Sequence, residues 1–227
     1  MEDPQFNFDY KLDDEHRVST IFWVDDRSRL AYKHFGDVVT FDTTYRTNKY
    51  SMLFAPFTGV NHHYHSILFG FTLLRDESES SFVWLFRAWL EAMKFKAPKV
   101  IITDQDLAMK KAITTVFPDT RHNLCTWHIR NKYPERLHHV YAKYPDFKQD
   151  FDKCVNKSLT IEEFEEKWEK LVEDYSLQDH EWLQHLYELK EQWIRVYTRR
   201  YFSAGMKTTG RSESMNATFD SYVQLPI

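Results

Sequence analysis

The spacing of apolar residues changes twice along the chain. From residue 6 to 74 apolar residues fall in short β-branched and aromatic runs; from 76 to 124 helical and strand patterns alternate; from 134 to 201 helical spacing alone remains. Short runs or a period of two mark strands, and spacings of three and four mark helices. Phe6 to Tyr10 and Thr20 to Val24 each read as an edge strand or a packed arm. Asp25 to Phe35 gathers Leu30, Ala31, His34 and Phe35 on one side and predicts a short helix. Val38 to Tyr45, Tyr50 to Thr58 and Ile67 to Leu74 follow as three strands, and their short polar connections, including a turn over Gly59 to His65, predict an antiparallel meander. Pro56 predicts an edge or a bulge, because proline donates nothing to a ladder.

The next unit is a helix with Phe82, Leu85, Phe86 and Trp89 on one face, Pro98, and a strand from Val100 to Thr103. A strand–helix–strand connection usually joins parallel neighbours, which places Asp104 at a carboxyl end of a strand, where open α/β sheets hold ligands. Asp106 to Val116 reads as a helix, and Thr120 to Leu124 as a strand running into Cys125-Thr-Trp-His128. Phe147 to Val155, Ile161 to Tyr175 and Glu181 to Tyr197 carry apolar stripes and form a helical insertion. A last helix opens at Ser212 with Glu213 in its first turn. The class is α/β.

Composition adds two constraints. With 227 residues, 42% apolar and 17% aromatic, the chain is globular and densely packed. Its formal charge of -4 gives no general attraction for a polyanion, so such a partner needs a local basic patch. Arg195, Arg199, Arg200, Lys207 and Arg211 supply one with no acid between them and with Tyr197, Tyr201 and Phe202 interleaved. That segment is either a phosphate-contacting surface or a solvated helix end and loop. Two cysteines make no disulfide framework, no apolar stretch has the length of a membrane span, and the polar start lacks a secretory pattern, which predicts a reducing intracellular compartment. Both ends look cut, and a piece of a longer protein is expected.

Asp42 ends a strand-like run and is either a site residue or a turn aspartate capping Thr43 and Thr44. Asp104 repeats its setting, and Glu213 is the third acid. Three carboxylates on separate elements supply the hard oxygen ligands that paired magnesium ions need to cut or join phosphodiesters. A glycosidase pair of acids is the alternative, and the basic segment beside Glu213 favours phosphate. Cys125 and His128 have the spacing of half a zinc site; the other reading is a buried thiol and a hydrogen-bonded histidine that pin a strand end. His62, His63 and His65 fit no standard zinc pattern and read as turn residues.

Phe41-Asp-Thr-Thr-Tyr45, Gly59-Val-Asn-His-His63, Asp76-Glu-Ser78 with Phe82-Val-Trp84, Ala97 through Asp106, Arg121-His122 with Trp127-His128, and Arg211-Ser-Glu-Ser214 together resemble the Mutator-like element transposases. Within them the chain is most similar to the far-red-impaired-response group of plant transposase-derived transcription regulators. The resemblance implies a ribonuclease H-like mixed sheet flanked by helices, with an all-α insertion before the last core helix. It divides the chain into an amino-terminal arm and short helix (1–36), a core (37–133), the helical insertion (134–201) and a return to the core (202–227). It also implies Asp42, Asp104 and Glu213 as a magnesium-binding acid triad, with Asp106 a neighbouring choice for the second acid, and Cys125-x-x-His128 as a structural motif. DNA as partner, a homo- or hetero-dimer, the nucleus, and zinc in family modules outside these residues complete what it implies. Three functions compete: a domain of a transcription regulator, an active transposase that nicks and joins strands, and an inert fragment of a decayed element.

Overall fold

The computed structural model describes residues 6–43 and 52–215. The expected positions Thr44, Tyr45, Tyr50 and Ser51 and the stretch 216–227 lie outside the described residues. Seven strands, β1 (Asn7–Leu12), β2 (Val18–Val24), β3 (Val38–Phe41), β4 (Leu53–Val60), β5 (Ser66–Leu74), β6 (Val100–Thr103) and β7 (Arg121–Leu124), form one sheet in the order β1-β2-β5-β4-β3-β6-β7. The first five pair antiparallel. β6 lies parallel to β3 and β7 parallel to β6, with Val39 opposite Ile101 and Ile101 opposite His122.

Three helices pack against the sheet or its connections: α1 (Asp26–Phe35), α2 (Glu79–Ala92) and α3 (Leu107–Val116). Each begins where a side chain accepts from the first turn: Asp25 caps α1, Ser78 caps α2 and Asp106 caps α3. Phe41, Phe57, Phe86 and Trp89 fill the core between the sheet and these helices. The Trp89 indole donates to the Phe69 carbonyl at 3.0 Å, so its one polar atom is satisfied inside the core. β3 and β6 are buried at every position, which suits parallel strands covered on both faces.

The helical part consists of α4 (Thr126–Asn131), α5 (Tyr133–Arg136), α6 (His138–Lys143), α7 (Phe147–Lys157), α8 (Ile161–Asp174), α9 (Glu181–Glu188), α10 (Lys190–Trp193) and α11 (Arg195–Thr198). Phe147, Phe151, Phe164, Trp168, Leu186 and Trp193 make its own apolar cluster, joined to the sheet through Leu124. The expected third helix, Glu181 to Tyr197, is broken into α9, α10 and α11. No described helix is long and apolar enough to cross a membrane.

β4 is an interior strand, and of the edge or bulge expected at Pro56 it is the bulge that forms, as a register shift between Pro56 and Thr58. Two local expectations change. The turn over Gly59 to His65 is shorter than its composition suggests, because Gly59 and Val60 pair with Ile67 and Ser66. The last helix begins at 210 rather than at Ser212: the Glu213 amide donates to the Thr209 carbonyl at 3.1 Å, and Ser212 lies inside the first turn with its hydroxyl turned to the sheet.

Candidate acid and metal site

β3 and β6 run side by side in the same direction, so the residues that follow them, Asp42 and Asp104, emerge at one end of the sheet. Asp42 is only 5% exposed. The Thr43 hydroxyl donates to Glu77 at 2.6 Å, away from the Asp42 carboxylate. The third acid arrives from the far end of the chain, through contacts between hydroxyls. Ser212 Oγ lies 3.0 Å from both Thr40 Oγ1 on β3 and Thr58 Oγ1 on β4, and those two are 2.5 Å apart, all buried. With Ser212 held there, Glu213 comes beside Asp42.

Thr209 joins the two acids. Its hydroxyl donates to Asp42 Oδ2 at 2.9 Å and lies 3.2 Å from Glu213 Oε1. One hydroxyl proton serves one carboxylate at a time, so the pair is short of donors. His128 Nε2 stands 4.0 Å from Asp42 Oδ2 and 3.9 Å from Glu213 Oε1. One ligand atom each from Asp42, His128 and Glu213 lie within 4.8 Å of one another, a separation compatible with a shared metal ion. Asp104 is outside that tightest group but acts on the charge of both Asp42 and His128. Its Oδ1 is buried with no hydrogen-bond partner among the described residues. Asp106 is engaged elsewhere: its Oδ1 accepts from the Met109 amide at 2.6 Å as the cap of α3.

Burial pushes Asp42 up to about 6, opposed by His128 and the Thr209 hydroxyl and reinforced by Asp104 and Glu213. Burial also raises Asp104. The Cys125 thiol beside it, followed by the acids Asp42 and Asp104, raises His128 to about 9 against the opposing effect of burial. His128 Nδ1 nevertheless meets no partner at hydrogen-bonding geometry among the described residues. Burial works to raise Cys125, and His128 and Thr209 outweigh it, leaving the thiol below its ordinary range.

Cys125 holds the approach to Thr209. Its Sγ accepts from the Thr209 amide at 3.3 Å, and the Thr126 amide next to it donates to the Lys207 carbonyl at 3.1 Å. Cys154 lies in the helical cluster, with its thiol on the Phe164 carbonyl. Among the described residues, Asp42, His128 and Glu213 are the one group of three such ligands close enough to share an ion, and no zinc set forms around Cys125. His62, His63 and His65 are exposed in their turn.

The residues of the basic segment have different surroundings. Arg195, Arg199 and Lys207 line a cleft, the Arg200 guanidinium lies 5.6 Å from the Tyr201 ring centre, and Arg211 donates to Ser66 Oγ at 3.0 Å. Thr209, the Ser212 contact and Arg130, which joins the cleft, carry no periodic or compositional signal in the sequence. His128 is visible there only through its spacing from Cys125.

Residues 38–132 match the MULE transposase domain family, a span that contains Asp42, Asp104, Cys125 and His128 and ends before Glu213. The protein FAR1-RELATED SEQUENCE 5 of Arabidopsis thaliana is 48% identical over 222 residues, 98% of this chain and 28% of that protein. FAR-RED IMPAIRED RESPONSE 1 of the same plant is 42% identical over 226 residues, 100% of this chain and 27% of its own length. FAR1-RELATED SEQUENCE 7 is 41% identical over 222 residues, 97% of this chain and 28% of that protein. The chain thus spans under a third of the length of these relatives.

Proposed function

Because the chain belongs to the FAR1-related proteins and carries a MULE transposase domain, we propose that it is the transposase-derived domain of a nuclear, DNA-binding transcription regulator. The observation that carries this reading is the extent of the relationship. It covers the sheet, the helical part and the closing segment alike, and one relative is named for its part in a far-red response. The sheet is read as ribonuclease H-like, supported by an antiparallel β3-β4-β5 meander with β6 and β7 added in parallel beside β3. In this role the domain contacts DNA and pairs with itself or a related chain. The test is reporter activation by the full-length protein with Asp42, Asp104 and Glu213 all neutralised. Activation is expected to survive; its loss in a folded protein would count against a purely regulatory role.

A second reading, magnesium-dependent nicking and joining of DNA strands, is favoured by Asp42, Asp104 and Glu213 drawing together from three elements and by the unpartnered Asp104 Oδ1. Buried Asp42 and half-buried Asp104 and Glu213 offer the oxygen ligands that suit a hard cation, and these three would hold it. Bound there, magnesium supplies the positive charge that stabilises the attacking and leaving oxygens of a phosphodiester. Thr209 orients the Asp42 carboxylate, and His128 places positive charge beside Asp42 and Glu213. Full-length protein carrying Asp42→Asn should lose magnesium-dependent nicking of DNA that bears the element's terminal repeats. Failure of the unaltered full-length protein to nick removes this reading and leaves the first intact.

A further inference from the structure

A cleft of about 480 Å³ lies between the end of β7, α7, α10, α11 and residues 203–208. We propose that it binds one nucleotide unit, with the phosphate at its rim and the base on its floor. The proposal extends the nucleic-acid reading above but does not rest on metal chemistry.

Charge separation is the first argument. Arg130, Arg195, Arg199 and Lys207 line the cleft, and no carboxylate among the described residues does. In a chain of formal charge -4, this gathers positive charge in one concavity, which draws anions. Arg195, Arg199 and Lys207 have no ion-pair partner among the described residues, so their charge is available to a ligand. Arg130 is held on the wall by Asn156 Oδ1.

The floor separates a nucleotide from a bare phosphate. Leu124, Trp193 and Met206 are buried and give it an apolar surface for a planar ring. Two amides add polar needs. Asn123 Oδ1 accepts from Arg121 at 3.3 Å, which leaves its NH2 without a partner among the described residues, and Gln192 Oε1 is buried and unpartnered. An unpartnered donor and an unpartnered acceptor beside an apolar floor suit the edge of a base, which carries both; phosphate would satisfy only the rim. Thr126 and Thr208, which line the cleft, adjoin in sequence Cys125 and Thr209, and the Thr209 hydroxyl donates to Asp42.

The test titrates the chain in EDTA with three probes: a 5′-phosphorylated single-stranded oligodeoxynucleotide, a free deoxynucleoside monophosphate and inorganic phosphate. The nucleotide probes are expected to bind at least about tenfold more tightly than phosphate. Arg195→Gln with Arg199→Gln should weaken both about tenfold and reduce the salt slope for the oligonucleotide by about 1.4. Thr198→Trp, which fills the cleft from its wall, should also block both while far-UV circular dichroism is retained. Tighter binding of the oligonucleotide marks an unpaired unit of a strand, and tighter binding of the monophosphate a free nucleotide. Equal affinity for phosphate and nucleotide, or unchanged nucleotide affinity in the folded double variant, overturns the proposal. Nucleotide binding by a protein that cannot nick DNA retires the catalytic reading alone; nicking without binding in the cleft retires this proposal alone.

Discussion

At the scale of single residues, the acid site is an arrangement that works against stability. Asp42 titrates near 6 in the fold against an ordinary 3.8, so the native state holds its proton more tightly than the unfolded chain does. Stability therefore falls as pH rises from about 4 to about 6 and stays lowered above that. In EDTA at pH 7.5, Asp42→Asn should raise stability by on the order of 1–2 kcal/mol in denaturant titrations, and the gain should vanish near pH 4. His122 has the opposite dependence. Burial, followed by the charges of Lys110 and Arg121, lowers it to about 4 from an ordinary 6.5. Its stabilising neutral form is fully present above 6.5 and is lost as pH falls through 4, at a cost on the order of 3 kcal/mol. His122 Nε2 lies 2.8 Å from Thr103 Oγ1, whose proton goes to the Asp104 carbonyl, so the ring donates from Nε2. His122→Gln keeps a donor and should flatten the acid limb of a pH–stability curve. Asp42 and Asp104 were legible in the sequence because carboxylates after apolar runs stand out, and Glu213 because it falls in the first turn of a helix beside the basic segment. Thr209 was not, because an isolated threonine gains meaning only when the fold sets it between two acids.

At the scale of elements, strands and helices were legible wherever the apolar spacing was regular, as in α2 and α8, whose caps Ser78 and Thr160 sit where the stripe begins. Two misses share one cause: ladder pairing carried β4 on through Gly59 and Val60, and tertiary contact set the start of the last helix, overriding local turn chemistry in both cases. Gly70 shows the same dominance of packing inside a strand. Its φ is +130°, and a Cβ there would stand 2.9 Å from the Phe22 ring. Gly70→Ala adds backbone strain to overpacking and should cost about 2–4 kcal/mol in chemical denaturation. A loss below 0.5 kcal/mol would show that Phe22 yields freely.

At the scale of the whole molecule, the division into a sheet and a helical part was legible from the disappearance of strand patterns, whereas the cleft was not. Its cations come from α4, α11 with the Arg199 that follows it, and the segment at 207, and only the fold brings Arg130 and Arg199 into one cleft. The acids likewise link β3, β6 and the closing segment, so an ion held among them would tie distant parts of the chain to one another. On the metal reading, magnesium at a hundredfold excess over its Kd should raise Tm by roughly 5–10 °C. Glu213→Gln should abolish that shift in thermal scans, and an equal shift in parent and variant would place the ion elsewhere.

The hydroxyl cluster of Thr40, Thr58 and Ser212 carries one further consequence. An apolar helix face can slide by a residue and remain apolar, but a slip here would press Arg211 or Glu213 into a pocket sized for a serine. Burying an unpaired charge costs far more than a lost methyl contact. The three hydroxyls therefore act as a phase key for the closing helix: they admit one rotational setting, and in that setting Glu213 faces Asp42.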